Sequence, residues 1–324
     1  MKVFESNFTE QELSPLINII KKGEIGFGSN VKILEQKFEE FSKCTYNIAT
    51  NSASASAFMI FSYLKEKYGE CDVYTPSIAF ASPAWSAKHF GHNLIFIDVN
   101  DELLFDCEDY RNKRAKTKNK KVVMPILYGG VSEIKNWNLF GDEIVVTDSA
   151  HCTSPKIPSD FYFFSFHPYK AICTSDGGMI STDIEDASNY FQSYRNFGRE
   201  NMGDTYDITQ DGFKFYMNNL NATLGLISLG KQNELKNIRR KNYLKFKNVL
   251  PQDKNSSYYF ATRICSNADD LIKKHKLPRH YPLLHKTKYF ETEEKIRLPN
   301  SCRYYNQILN LPLYKEINEN LYNS

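Results

Sequence analysis

Between Asp72 and Ser181 short apolar runs alternate with stretches of helical spacing, and this alternation restricts the fold more than any other feature of the chain. Asp72-Val73-Tyr74, residues 94–99, residues 122–127 and Ile144-Val145-Val146-Thr147-Asp148 read as buried strands. Phe163-Phe164-Ser165-Phe166 and Gly178-Met179-Ile180-Ser181 continue the series. Residues 82–90 read as a helix closed by Gly91. Strands that alternate with helices imply a mostly parallel sheet covered on both faces, with a site at the carboxyl ends of the strands.

The flanks are helical. Ser14-Pro15 followed by Leu16 to Lys22 and Gly23 reads as a short helix with a capping serine, a first-turn proline and a glycine stop. Val31, Leu34, Phe38 and Phe41 recur at helical spacing, which predicts an amphipathic helix over residues 30–43. The small residues Asn51-Ser52-Ala53-Ser54-Ala55-Ser56-Ala57 open another, running to about Gly69. From Asn218 a helical pattern runs to roughly Leu250, where Pro251 stops it. The domain boundary is placed inside this stretch, giving a large domain over 1–235 and a small C-terminal α+β domain over 236–324. The small domain mixes a strand-like 258–264 with two short helices.

Composition excludes several classes of function. With 41% hydrophobic and 24% charged residues the chain reads as a globular protein. A formal net charge of +3 gives no warrant for a nucleic-acid partner. Residues 111–121 hold seven Lys or Arg in eleven positions, without interleaved aromatic residues, and read as a solvated loop before the Val122 strand. No run approaches the ~18 apolar residues of a membrane span, and the opening residues have no signal-peptide core. Seven scattered cysteines without a CxxC pair argue for a reducing, cytoplasmic setting and against a zinc site.

Chemistry concentrates where two of the apolar runs end. One run stops at Asp148, and Lys170 follows the other in Ser165-Phe166-His167-Pro168-Tyr169-Lys170. A carboxylate and an amine just past the ends of buried strands suit pyridoxal phosphate chemistry. The amine forms a Schiff base with the aldehyde, and the carboxylate keeps the pyridine nitrogen protonated.

Ser165-Phe166-His167-x-x-Lys170 with Asp176-Gly177-Gly178-Met179 beyond it, and Asp148-Ser149-Ala150-His151 before it, resemble the DegT/StrS family of pyridoxal phosphate-dependent sugar aminotransferases. The resemblance runs from about Phe8 to Tyr314 in a compact form, and it implies the α/β fold type I architecture. By that resemblance Lys170 is the Schiff-base lysine, Asp148 pairs with the pyridine nitrogen, and Ser165, Ser52 and Ala53 hold the phosphate. His151 lies beside the cofactor ring, and Phe80, in Pro76-Ser77-Ile78-Ala79-Phe80, stacks on it. Ser149 stands where the family has alanine, and Asn51-Ser52 where a small-Gly pair is usual.

Gly212-Phe213-Lys214-Phe215-Tyr216-Met217 resembles the family's G-Y-N-Y-R-M segment, which reaches the cofactor phosphate of the partner subunit. Lys214 would meet that phosphate as a point charge, or stand as a solvated surface lysine. His280-Tyr281-Pro282-Leu283-Leu284-His285 resembles H-Y-P-x-P-L-H near the substrate pocket, one residue shorter, which makes His280, Tyr281 and His285 substrate-facing candidates. No carboxylate or cysteine stands at ligand spacing around these histidines, so a metal is not expected.

The resemblance implies a homodimer that transfers an amino group, from glutamate, to a keto group of a nucleotide-linked deoxysugar. Ile172-Cys173-Thr174-Ser175-Asp176-Gly177-Gly178 leans toward members acting at C4. Two alternatives stay open: sugar dehydration on the same cofactor, and a non-catalytic sensor descended from the enzyme. Relatives that dehydrate have histidine in place of the lysine, so Lys170 argues against the first.

Overall fold

The computed structural model describes residues 8–200, 205–277, 279–291 and 296–314; the rest of the opening segment and of the small domain read above lies outside these. Two helices lead in, α1 (Ser14–Lys22) and α2 (Ser29–Ser42). Gly23 ends α1 as expected, left-handed at φ 72, with its N–H on the carbonyls of Ile19 and Ile20. Ser14 does not cap it: Leu13 holds that position with no side-chain bond, and Ser14 is the first helical residue. On α2 the spacing read from sequence holds, since Val31, Leu34 and Phe38 are all buried.

The large sheet then builds up. In chain order come β1 (Tyr46–Thr50), α3 (Ala53–Tyr68), β2 (Cys71–Pro76), α4 (Ala81–His89), β3 (Asn93–Ile97), α5 (Cys107–Lys113), β4 (Lys120–Val123), β5 (Ile144–Asp148), β6 (Phe161–Ser165), β7 (Gly178–Thr182) and α6 (Glu185–Tyr194). The strands form one seven-stranded sheet in the order β1-β7-β6-β5-β4-β2-β3. Strands β2 to β6 pair in parallel, whereas β7 is antiparallel to both β6 and β1. The parallel strands β2, β5 and β6 are buried on nearly every residue, as expected when helices cover both sides. Met59, Ile60, Phe61 and Leu64 of α3 cover one face with Phe191 of α6, and Leu34 and Phe38 of α2 cover the other with Ala222 of α7 (Asn219–Gly230).

β4 is shorter than the apolar run that contains it. Pro125 has no N–H to give the ladder, so regular pairing ends at Val123. The chain still follows β5 irregularly, with Asp148 N–H on the Pro125 carbonyl at 2.9 Å and Leu127 N–H on that of Asp148 at 3.1 Å. The basic run is not wholly solvated. Lys113 pairs with Asp109 and Arg114 with Asp142, while Lys121 is buried in β4 on the Asp72 carboxylate at 2.9 Å. That pair also has the Thr117 and Asn119 carbonyls, which offset the cost of burying the ammonium.

The helical pattern from Asn218 is two helices, not one: α7 and α8 (Gln232–Tyr243) break at Lys231, and residues 244–250 leave the helix. The break turns α8 toward the C-terminal part, where Asn242 donates to the Leu313 carbonyl and Arg239 to that of Ser257. Tyr243 then draws the chain back by donating to the Leu250 carbonyl. β8 (Phe260–Ile264) and β9 (Ile308–Pro312) pair antiparallel as a separate two-stranded sheet, with α9 (Ala268–His275) and α10 (Pro299–Tyr305) between them in sequence. Among the described residues no helix is long and apolar enough to cross a membrane.

Candidate active site

β5 and β6 lie side by side in parallel, so their carboxyl ends bring Asp148 and Ser165 to one edge of the sheet. Lys170 arrives from a tight turn beyond β6, its N–H on the His167 carbonyl at 2.8 Å. The three side chains line one cavity of about 400 Å³. Clefts of roughly 300–1,000 Å³ with a few convergent polar groups are the usual form of a small-molecule site.

Burial dominates the electrostatics. Asp148 is 6% exposed, and desolvation raises its carboxyl above the usual carboxylate range. The Ala150 N–H, 2.9 Å from Oδ1, and the charge of Lys170 act against that rise. Desolvation lowers the Lys170 amine below an ordinary lysine, and Asp148 opposes the shift. The lysine is therefore more nucleophilic near neutrality than one in water. The carboxylate, for its part, favours a cation brought beside it.

The opposite wall is a helix start. Ser52 caps α3, its Oγ accepting the Ala55 N–H at 3.1 Å, and Ser52 and Ala53 both face the cavity. A first turn leaves backbone N–H groups without intrahelical acceptors, at the positive end of the helix dipole. β7 passes so close that a Cβ on Gly178 would lie 2.6 Å from Ala53 N, so only glycine fits there.

An aromatic rim completes the cavity. Phe80, at the start of α4, is 57% exposed and meets Tyr281 edge to face at 5.9 Å. His151 shares a hydrogen bond with the Tyr281 hydroxyl through Nε2 at 2.9 Å. Its Nδ1 and that of His280 are buried without a hydrogen-bond partner, although both rings line the cavity. Desolvation, helped by the charge of Lys170, lowers His280 to about 4 and His151 well below an ordinary histidine, so both are neutral at pH 7. The donor set fits pyridoxal 5′-phosphate. Asp148 would face the ring nitrogen, the Lys170 amine the aldehyde, the α3 start and Ser165 the phosphate, and Phe80 and His151 the ring.

Two sequence candidates stand outside the cavity. His285 lies behind its wall, 9% exposed, with Nδ1 on the Ser77 hydroxyl at 2.6 Å. Lys214 sits on the segment that runs beside β1, where its carbonyl accepts from the Asn51 side chain at 3.0 Å and its amine is 5.7 Å from the Tyr216 ring. Sequence reasoning missed Tyr259, whose ring stacks on His151 at 4.4 Å and lies 4.7 Å from Lys170 Nζ. Spacing marks it as a strand residue; only the fold directs it into the cavity.

The sequence model of the DegT/DnrJ/EryC1/StrS aminotransferase family matches residues 7–323. Spore coat polysaccharide biosynthesis protein SpsC of Bacillus subtilis is 21% identical, over 96% of this chain and 91% of SpsC. Among solved structures, Helicobacter pylori PseC, an aminotransferase involved in the biosynthesis of pseudoaminic acid, superposes with a TM-score of 0.88 at 18% identity, covering 98% of this chain and 96% of PseC. Spr1654 of Streptococcus pneumoniae, in its PLP-form, gives 0.85 at 21% identity over 99% and 95%.

Proposed function

The chain belongs to the DegT/DnrJ/EryC1/StrS aminotransferase family, and from that premise we propose that it moves an amino group from glutamate to the C4 keto group of a nucleotide-linked deoxysugar. The observation that carries the proposal is the convergence of a desolvated lysine and a buried carboxylate on one aromatic-rimmed cavity beside a helix start. Pyridoxal 5′-phosphate is the cofactor, and when bound it supplies the electron sink and carries the amino group between donor and acceptor.

The chain's own residues do the rest. Asp148 holds positive charge on the ring nitrogen, strongly because its surroundings exclude water. Lys170 Nζ, displaced by the donor's amine, takes the proton from the donor's α-carbon and later returns one to the sugar carbon. Ser52, Ala53 and Ser165 hold the phosphate, and Phe80 and His151 fix the ring plane. His280 and Tyr281 form the wall the sugar meets.

The proposal includes a homodimer in which Lys214 reaches the partner's phosphate. Supporting it, Phe197, Ile208 and Phe213 on the same stretch are 40%, 64% and 50% exposed, apolar surface that a partner subunit would cover.

The test is spectroscopic. Purified protein given pyridoxal 5′-phosphate should turn yellow, lose the visible band on adding glutamate, and regain it with a nucleotide-linked 4-keto sugar, with the aminated sugar found by mass spectrometry. Failure to bind the cofactor, or bleaching that no 4-keto sugar of a 3-keto and 4-keto panel reverses, contradicts the proposal.

A further inference from the structure

The chain goes to unusual lengths to place Tyr259. Tyr258 adopts φ 50, a left-handed backbone that bulky residues avoid and that marks constrained, often functional, positions. That twist sends the Tyr258 ring into the core, where it is 3% exposed and packs on Tyr243 at 5.3 Å. The next ring, Tyr259, is left facing the cavity.

Gly129 and Gly130, at φ 71 and 93, receive it from the other side. The Gly129 carbonyl accepts the Tyr259 N–H at 3.1 Å, and the Gly130 carbonyl accepts that of Ser257 at 2.7 Å. A Cβ on Gly130 would lie 3.0 Å from Tyr259 N and 2.9 Å from the His151 carbonyl oxygen, so a side chain there would push the two apart. Two glycines and a left-handed tyrosine thus fix one aromatic ring.

The ring so held has Lys170 Nζ 4.7 Å from its centroid and the His151 imidazole stacked on it at 4.4 Å and 24°. The charge of Asp148 acts on the lysine, and the lysine's charge acts in turn on His151, His167 and His280. Asp148 alone among them opposes the desolvation of the ammonium. A carboxylate seat would hold that ammonium tightly and divert the charge that the ring nitrogen needs. An aromatic face attracts a cation more weakly and takes none of its N–H donors.

We infer that Tyr259 is a positioning residue whose ring seats the Lys170 amine whenever that amine is free of the cofactor. The inference rests on the role proposed above for Lys170. It makes the π face, not the hydroxyl, the working part. The flexible lysine stem then stays at the cavity wall during the half of the cycle in which the amine must carry a proton.

The test uses the full chain loaded with pyridoxamine 5′-phosphate, the form in which the lysine is free. The rate of Lys170 acetylation against pH is read by peptide mass spectrometry, with other lysines as internal references. Tyr259→Phe should keep the parental midpoint. Tyr259→Leu removes the attraction for the ammonium, so its midpoint should fall by about 0.4–1.5 pH units, and kcat by about 2- to 30-fold with KM for glutamate little changed. Should the leucine variant fail to fold, phenylalanines of increasing fluorination at position 259 keep the shape and weaken the π face, and the midpoint should fall stepwise. An unchanged midpoint in Tyr259→Leu or across the fluorinated series overturns the inference. A parent in which borohydride reduction fixes the cofactor on a lysine other than Lys170 overturns instead the role of Lys170.

Discussion

Asp148 sits at the end of β5 with one backbone N–H on its carboxylate, and its desolvation is eased by a cation placed beside it. Asp148→Asn keeps the shape and removes the charge. Turnover should fall by about 10²- to 10⁴-fold, in keeping with the roughly 3–5 kcal/mol of breaking a buried ion pair, while some cofactor still binds. Parental kcat in this variant would remove Asp148 from the mechanism. His280 gives a pH prediction. Its pKa is depressed to about 4 by burial, so between that value and the ordinary histidine pKa of about 6.5 the unfolded chain binds more protons than the folded one. Its contribution is intact above about pH 6.5 and is lost as pH falls through the window. Urea unfolding at pH 7 and pH 5 should therefore show a drop smaller by about 1–2 kcal/mol in His280→Gln than in the parent; equal drops would contradict the assignment. Lys170, Asp148 and the small residues at 52–53 were legible because chain-local motifs carry them. Tyr259 was not, since its partners Gly129, Gly130 and Lys170 are remote in sequence and nothing local tells which face a residue before β8 will show.

Among elements, the α3 start and β7 have to be considered together. β7 can run against Ser52 and Ala53 because position 178 has no side chain. Gly178→Ala should push the strand off the helix start, cost about 1–3 kcal/mol of stability, and weaken cofactor binding more than this loss explains. Denaturation and equilibrium dialysis measure the two effects; a variant with parental affinity would show that the helix start does not hold the phosphate. Periodicity read α2 and the buried strands well, because burial of one face or of both leaves a simple pattern. It overran β4, where Pro125 was the signal that pairing stops. It also merged α7 with α8, although Gly230, the last residue of α7, is a weak helix former that marks the break.

At the scale of the whole molecule, the mostly parallel sheet followed from the alternation of apolar runs and helices, whereas the strand order, the edge strand β1, the antiparallel β7 and the joining of distant loops at the cavity rim did not. Those depend on which chain ends the folded sheet brings together. The proposed dimer is tested by subunit mixing. Lys170→Ala and Lys214→Glu subunits, each inactive alone, should recover activity in about a quarter of sites once exchanged, since a symmetric interface leaves one intact site per hybrid. No recovery despite confirmed exchange would contradict a shared site. The central claim, that Lys170 is the amine on which this cavity works, has a more direct test. Borohydride reduction of the protein loaded with pyridoxal 5′-phosphate, followed by peptide mapping, should leave the phosphopyridoxyl mass on the peptide containing Lys170 and on no other; the mass on a different lysine, or on none, would contradict the account.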